Sequence, residues 1–140
     1  MYFASLASEA VSLLSKRPLG KLPLKRLCLP DKCVLMNRKE FFVYLIWETD
    51  RLRFVINVEQ GGVINFVAQY ETLLHGKWEA VVRYDFAHGY FHQDFMNPNG
   101  EQEKTPIDIQ DRGQALTFAK DDLTANWQRY LEKYTNRMKP

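Results

Sequence analysis

Between Arg83 and Gly100 the chain reads RYDFAHGYFHQDFMNPNG, which gathers two of its three histidines, Asp85, Asp94 and Arg83 into one short run. These are the parts needed for acid–base work on a phosphodiester. A histidine with an unperturbed pKa near 6.5 can take or give a proton, a carboxylate can orient its ring, and arginines can hold phosphate charge. In that reading His92 is the proton carrier, Asp85 orients it, and Arg83 with Arg53 holds the phosphate. The neighbouring 2′-hydroxyl of RNA would be the attacking group, so the chemistry requires neither a protein nucleophile nor a metal. Two other readings of the same residues stand beside it. One is a solvated ion-pair network on an open sheet face. The other is a zinc or manganese site built from His88, His92 and Asp94 with Asp85. His88 precedes a glycine, where a histidine is also an ordinary left-handed turn residue. The expectation is no metal and no cofactor.

Strands must position these groups. Residues opposite one another in a hairpin share a sheet face, and a slip of one residue exchanges the faces. A two-residue turn at His88-Gly89 sets Asp85 opposite His92 and Arg83 opposite Asp94, leaving Tyr84, Phe86, Phe91 and Phe95 together on the apolar side. A three-residue turn would mix charge into the core, so the first register is preferred. Three-residue turns at His75–Lys77 and Gln60–Gly62 extend the pattern, placing Tyr70 opposite Val82, Ala68 opposite Tyr84 and Phe54 opposite Ala68. One face then collects Phe54, Ile56, Phe66, Ala68, Tyr70, Val82, Tyr84, Phe86 and Phe91. The other collects Arg51, Arg53, Gln69, Glu71, Arg83, Asp85, His92 and Asp94, with Arg53, Arg51, Glu71, Asp94 and His88 as the candidate substrate-binding set.

The strands themselves are FFVYLIWE, LRFVINV, VINFVAQYETLL, WEAVVRYDF and YFHQDFM. They are rich in β-branched and aromatic residues, with turn residues between them. Ile107 and Ile109 could add a short edge strand. After Asp111 the period becomes 3.6: Asp111 and Gln114 have capping-box spacing, and Leu116, Ala119, Leu123, Trp127, Tyr130 and Tyr134 fall on one stripe. The expected fold is α+β, a five-stranded antiparallel meander with the C-terminal amphipathic helix packed on one face and a short N-terminal helix. All three tryptophans read as packing residues.

The chain has 140 residues, 46% of them apolar, enough for one core, and no apolar run approaches the roughly 20 residues that span a bilayer. The domain is expected over residues 36–140. Residues 1–35 read as a basic helix and linker, possessing Lys16, Arg17, Lys21, Lys25, Arg26 and Lys32 against Glu9 and Asp31. A targeting peptide, a packed helix and a dispensable leader ahead of Met36 all fit this segment. Residues 36–140 are slightly acidic overall, which disfavours a tight duplex DNA binder. Cys28 and Cys33 lack the second ligand pair of a zinc site and read as incidental thiols of a cytoplasmic protein. There is no GxGxxG, P-loop or GxSxG run, so nucleotide-cofactor enzymes and serine hydrolases fall away.

Over the segment from about Val63 to the C-terminal helix, the RYD, AHG, H, D, P and G pattern resembles a family of short uncharacterised prokaryotic proteins. More distantly, Arg-Tyr-Asp followed by histidines on a small sheet with a terminal helix is similar to TumE-type toxins of toxin–antitoxin pairs. That resemblance implies action on RNA or translation, a cognate antitoxin or other small protein as partner, and roles for Arg83, Asp85, His88 and His92. The sequence departs from it in running AHGYFH where such toxins bunch their histidines. The expected function is a toxin-like endoribonuclease cleaving RNA by metal-independent acid–base catalysis. The alternative is a non-catalytic partner-binding module of a small prokaryotic complex, using the same face or the aromatic edge of FFVYLIWE. No membrane association is expected.

Overall fold

The computed structural model describes residues 24–29 and 32–138. Seven antiparallel strands follow one another in sequence order across a single sheet: β1 (Leu24–Leu29), β2 (Lys32–Ile46), β3 (Asp50–Glu59), β4 (Gly62–Leu74), β5 (Lys77–Asp85), β6 (His92–Met96) and β7 (Gln102–Pro106). One helix, α1 (Arg112–Asn136), closes the chain. The α+β meander with a C-terminal helix is therefore present, but five strands were too few. Six run from Lys32 onward, and Leu24–Leu29, expected to be linker, is a further strand paired with Lys32–Asn37. The extra strand at the far end is Gln102–Pro106. Ile107 and Ile109 are not in it and pack against the core instead. The N-terminal helix expected over residues 2–16 lies outside the described residues.

The hairpins reach the expected pairings by a different route. Gln60 and Gly61 both have positive φ (51° and 81°), as do His75 and Gly76 (53° and 76°), the backbone of a two-residue turn whose twist matches that of the strands. The strands accordingly close at Glu59 opposite Gly62 and at Leu74 opposite Lys77, not around three-residue loops. Further in, each ladder shifts register, between Asn57 and Val58 in the first and between Tyr70 and Glu71 in the second. Ile64 and Val81 are left without a partner, and the bulges restore Phe54 opposite Ala68, Ala68 opposite Tyr84 and Tyr70 opposite Val82. At the last hairpin Asp85 faces His92 and Arg83 faces Asp94, as the alternation implied. A 3₁₀ turn at Ala87–Gly89 carries the chain across, with His88 at φ 69°.

The core lies between the sheet and α1. Phe54, Ile56, Phe66, Ala68, Tyr70, Val82, Tyr84, Phe86 and Phe91 are all buried, and Leu116, Ala119, Leu123 and Tyr134 meet them from the helix. Full burial of a large apolar side chain is worth about 1.5–3 kcal/mol, so this stripe holds the 25-residue helix in place far more strongly than propensity does. Asp111 caps the helix, its carboxylate accepting from the Gln114 amide at 2.8 Å. The core is not wholly apolar. Asp122 accepts from the hydroxyls of Tyr84 and Tyr130, both at 2.5 Å, and the Gln93 amide donates to those two oxygens at 2.7 and 3.1 Å, so every member is satisfied. Trp47 departs from the packing expected of it. It sits in the turn after β2, 70% exposed.

Candidate functional site

The alternation of β5 and β6 brings His92 between two carboxylates on the face away from α1. Its Nε2 lies 2.9 Å from Asp85 Oδ1 and 3.3 Å from Asp94 Oδ2. Its Nδ1 lies 3.1 Å from the Tyr90 carbonyl oxygen. A carbonyl only accepts, so Nδ1 carries a proton, and Nε2 then faces two further acceptors. A proton between Nε2 and the carboxylates, carried by the ring or by an aspartate, or a cation in its place, completes these contacts. Asp85 is also held from the backbone, with Oδ1 accepting from the Ala87 amide at 3.0 Å. Asp94 has no such support. Its Oδ1 is buried with no hydrogen-bond partner among the described residues.

The cluster is enclosed. His92 is 1% exposed, Asp94 4% and Asp85 9%. The rings of Tyr90 and His88 lie 5.2 and 6.3 Å from that of His92. Tyr90 also lines a cavity of about 390 Å³ shared with Phe86, Phe91, Ile107, Ile109 and Arg112. Ligating atoms of Asp85, His92 and Asp94 all come within 4.8 Å of one another, so among the described residues these three form the group able to hold a metal. His88, exposed in its turn, is outside that set.

The arginines form a separate unit on the same face. Arg83 Nε donates to Gln69 Oε1 at 3.0 Å, Gln69 Nε2 donates to Glu71 Oε2 at 2.6 Å, and Glu71 Oε1 accepts from Arg51 Nε at 2.7 Å. The amide thus relays between an arginine and a carboxylate. Arg51 also lies over two rings, 4.1 Å from the centroid of Phe42 and 3.9 Å from that of Trp78. Arg53 Nε donates to Glu40 at 2.6 Å. Arg83, although opposite Asp94, makes no ion pair with it or with Asp85 among the described residues. Both Arg53 and Arg83 use Nε within the sheet, leaving their terminal nitrogens without a hydrogen-bond partner among the described residues.

The predicted residues therefore sort into three groups. Asp85, His92 and Asp94 come together; Arg51, Glu71 and Arg83 come together through Gln69; Arg53 stands with Glu40. Sequence reasoning missed Tyr90 and Glu40. Tyr90 shares the parity of His92, two residues on, which placed it on the same side, but nothing in the sequence marked its carbonyl as the partner of Nδ1. Glu40 sits on β2, two residues before Phe42 on the polar face, and lies just outside the expected strand FFVYLIWE.

Among the described residues no helix is long and apolar enough to cross a membrane. No curated protein and no solved structure matches the chain. The chain belongs to the DUF7718 family, a domain of unknown function, which matches residues 36–140.

Proposed function

We propose that this DUF7718 protein is a toxin-like endoribonuclease that cleaves single-stranded RNA in the cytoplasm, held in check by a cognate small protein. The observation that carries the reading is the 2.9 Å contact between Asp85 and His92 on the face that also bears Arg83 and Arg53. The likeness of Arg83, Asp85, His88 and His92 to the TumE-type motif points the same way. In the proposed reaction the 2′-hydroxyl passes its proton to His92 Nε2 and attacks the adjacent phosphorus. The P–O5′ bond breaks, and the departing 5′-oxygen takes a proton from His92, leaving a 2′,3′-cyclic phosphate. Arg53 and Arg83 hold the phosphate through their terminal nitrogens, and Asp85 keeps the ring oriented. Because His92 is 1% exposed, a neighbouring side chain must move before RNA can reach it, and Tyr90, whose ring lies 5.2 Å from that of His92, is the candidate. The neighbouring cavity, which Tyr90 lines, gives that side chain somewhere to go.

Purified protein should convert a labelled single-stranded RNA to cyclic-phosphate products. Asp85→Asn should slow the reaction by about 10²-fold or more, within the range of a general acid–base contribution. Growth arrest on expression that persists unchanged in His92→Ala would refute the catalytic reading. A second reading, a partner-binding module without catalysis, is favoured by one observation: Phe42, Ile46 and Trp47 are 40%, 44% and 70% exposed around the end of β2. On that reading RNA stays intact, and Trp47→Ala abolishes partner binding while leaving the fold unchanged.

A further inference from the structure

We infer that Asp85, His92 and Asp94 form a binding site for one divalent first-row cation of the Zn²⁺ or Mn²⁺ class. Three independent features of the cluster converge on this. The first is spacing. Ligand bonds of about 2.0–2.2 Å put neighbouring donor atoms about 3.0 Å apart at right angles and about 3.4 Å apart at the tetrahedral angle. The Nε2-to-carboxylate distances are 2.9 and 3.3 Å, and all three ligand atoms lie within 4.8 Å of one another.

The second is the orientation of the ring. Nδ1 donates to the Tyr90 carbonyl, which fixes the tautomer and directs the Nε2 lone pair toward the carboxylates. Ligating histidines are held in this way by a backbone carbonyl or carboxylate on the other nitrogen. The third is the unpaired oxygen. Asp94 is 4% exposed, yet its Oδ1 has no hydrogen-bond partner among the described residues, a costly condition for a buried carboxylate. A cation beside the carboxylate supplies the missing interaction. One imidazole with two carboxylates is a hard-to-borderline donor set, which suits manganese and zinc and disfavours cations that seek thiolates.

The inference goes beyond the ribonuclease reading and does not need it. A proton and a cation compete for the same nitrogen, so a loaded site withdraws His92 from acid–base work. Zn²⁺ or Mn²⁺ should then inhibit the proposed cleavage.

The test is titration of the full chain, in a Cys28→Ser/Cys33→Ser background that removes the thiols, with Zn²⁺ and separately with Mn²⁺ by calorimetry. One equivalent should bind, reversibly to chelator, and Asp85→Asn and Asp94→Asn should each weaken binding at least tenfold. Glu103→Gln, on the exposed strand β7, should leave affinity unchanged. Should the site variants not fold, ¹⁵N spectra of the histidine rings in the parent chain decide the matter: Zn²⁺ must shift His92 Nε2 at one equivalent while leaving Nδ1 protonated. No stoichiometric binding, binding indifferent to both aspartate substitutions, or a shift confined to His75 or His88 would overturn the site. Metal binding without RNA cleavage would sink the ribonuclease reading alone, and metal-insensitive cleavage without metal binding would sink this one alone.

Discussion

Removing the His92 ring should destabilise the protein severely, whatever the ring does chemically. The substitution His92→Ala leaves Asp85 and Asp94 facing each other at 9% and 4% exposure. Asp85 retains the Ala87 amide, but Asp94 loses its contact to Nε2 and already has an unpaired Oδ1. Breaking a buried pair from one side costs about 3–5 kcal/mol, because the remaining charge is stranded. For a domain of this size, about 4 kcal/mol corresponds to a fall in Tm of roughly 12–20 °C. Urea unfolding monitored by circular dichroism reads this directly, with an unchanged m-value showing that the native state is otherwise intact. The sign of a second substitution is the sharper measurement. Asp94→Leu should destabilise the parent chain but stabilise the His92→Ala background, since there it removes the stranded charge. The reasoning fails if His92→Ala costs less than about 1 kcal/mol, or if Asp94→Leu is equally damaging in both backgrounds. Lost activity in His92→Ala is therefore informative only once folding has been measured, which is why Asp85→Asn is the better kinetic probe.

Two pH effects follow from groups elsewhere. Hydrogen bonds from Asn97 and Arg137, with Lys133 nearby, pull the Glu103 carboxyl from 4.5 to about 2. A depressed carboxyl stabilises the fold above its unfolded pKa, so this contribution should fade as pH falls from 4.5 toward 2; NMR titration of Glu103 checks it, and Arg137→Ala should return the midpoint toward 4.5. At the other extreme, burial and then the bonds to Asp50 and Asp122 push the Tyr70 and Tyr84 hydroxyls well above the usual 10.0, and burial raises Tyr130 and Tyr134 as well. These groups stay protonated in the folded state while the unfolded chain ionises, so stability should fall as pH rises past 10.0, and the tyrosinate absorbance contributed by these four should appear together with loss of helix rather than before it.

The sharing of faces was legible in the sequence because a period of two leaves little freedom once one side must be apolar. Phe54, Ala68, Tyr70, Val82 and Tyr84 fell on the buried side, and Arg51, Gln69, Glu71, Arg83, Asp85 and His92 on the other. The turns were not legible in the same way. A three-residue loop and a two-residue loop with a bulge give identical pairing beyond the bulge, and differ in the pairs between turn and bulge and in which residue lacks a partner. Ile64 and Val81 bear no mark of that role. Side-chain partners within a face were also beyond reach. Arg83 stands opposite Asp94, yet its long stem takes the guanidinium sideways to Gln69, a choice governed by rotamers and competing acceptors rather than by register. Burial of the polar side was missed for a related reason: alternation says which way His92 points, not whether Tyr90 and His88 lie beside it. Trp47 misled because an aromatic at the end of an apolar run reads as core, whereas the chain has already turned there.

The outermost strand, β7, is exposed at every residue from Gln102 to Pro106. A bare sheet edge offers unpaired peptide groups to any extended chain that comes by, and is a common starting point for aggregation. Here the rim carries Glu103 and Lys104 and ends in Pro106, which has no N–H to give. Docking another strand in register would have to desolvate both charges and forgo a hydrogen bond at the proline. Glu103 is in addition tied to Arg137 and Lys133 at the end of α1, which draws the helix terminus over toward this rim. The sheet is thereby guarded against being extended from this side, and a substitution that neutralises Glu103 loosens the helix terminus and bares the rim at once.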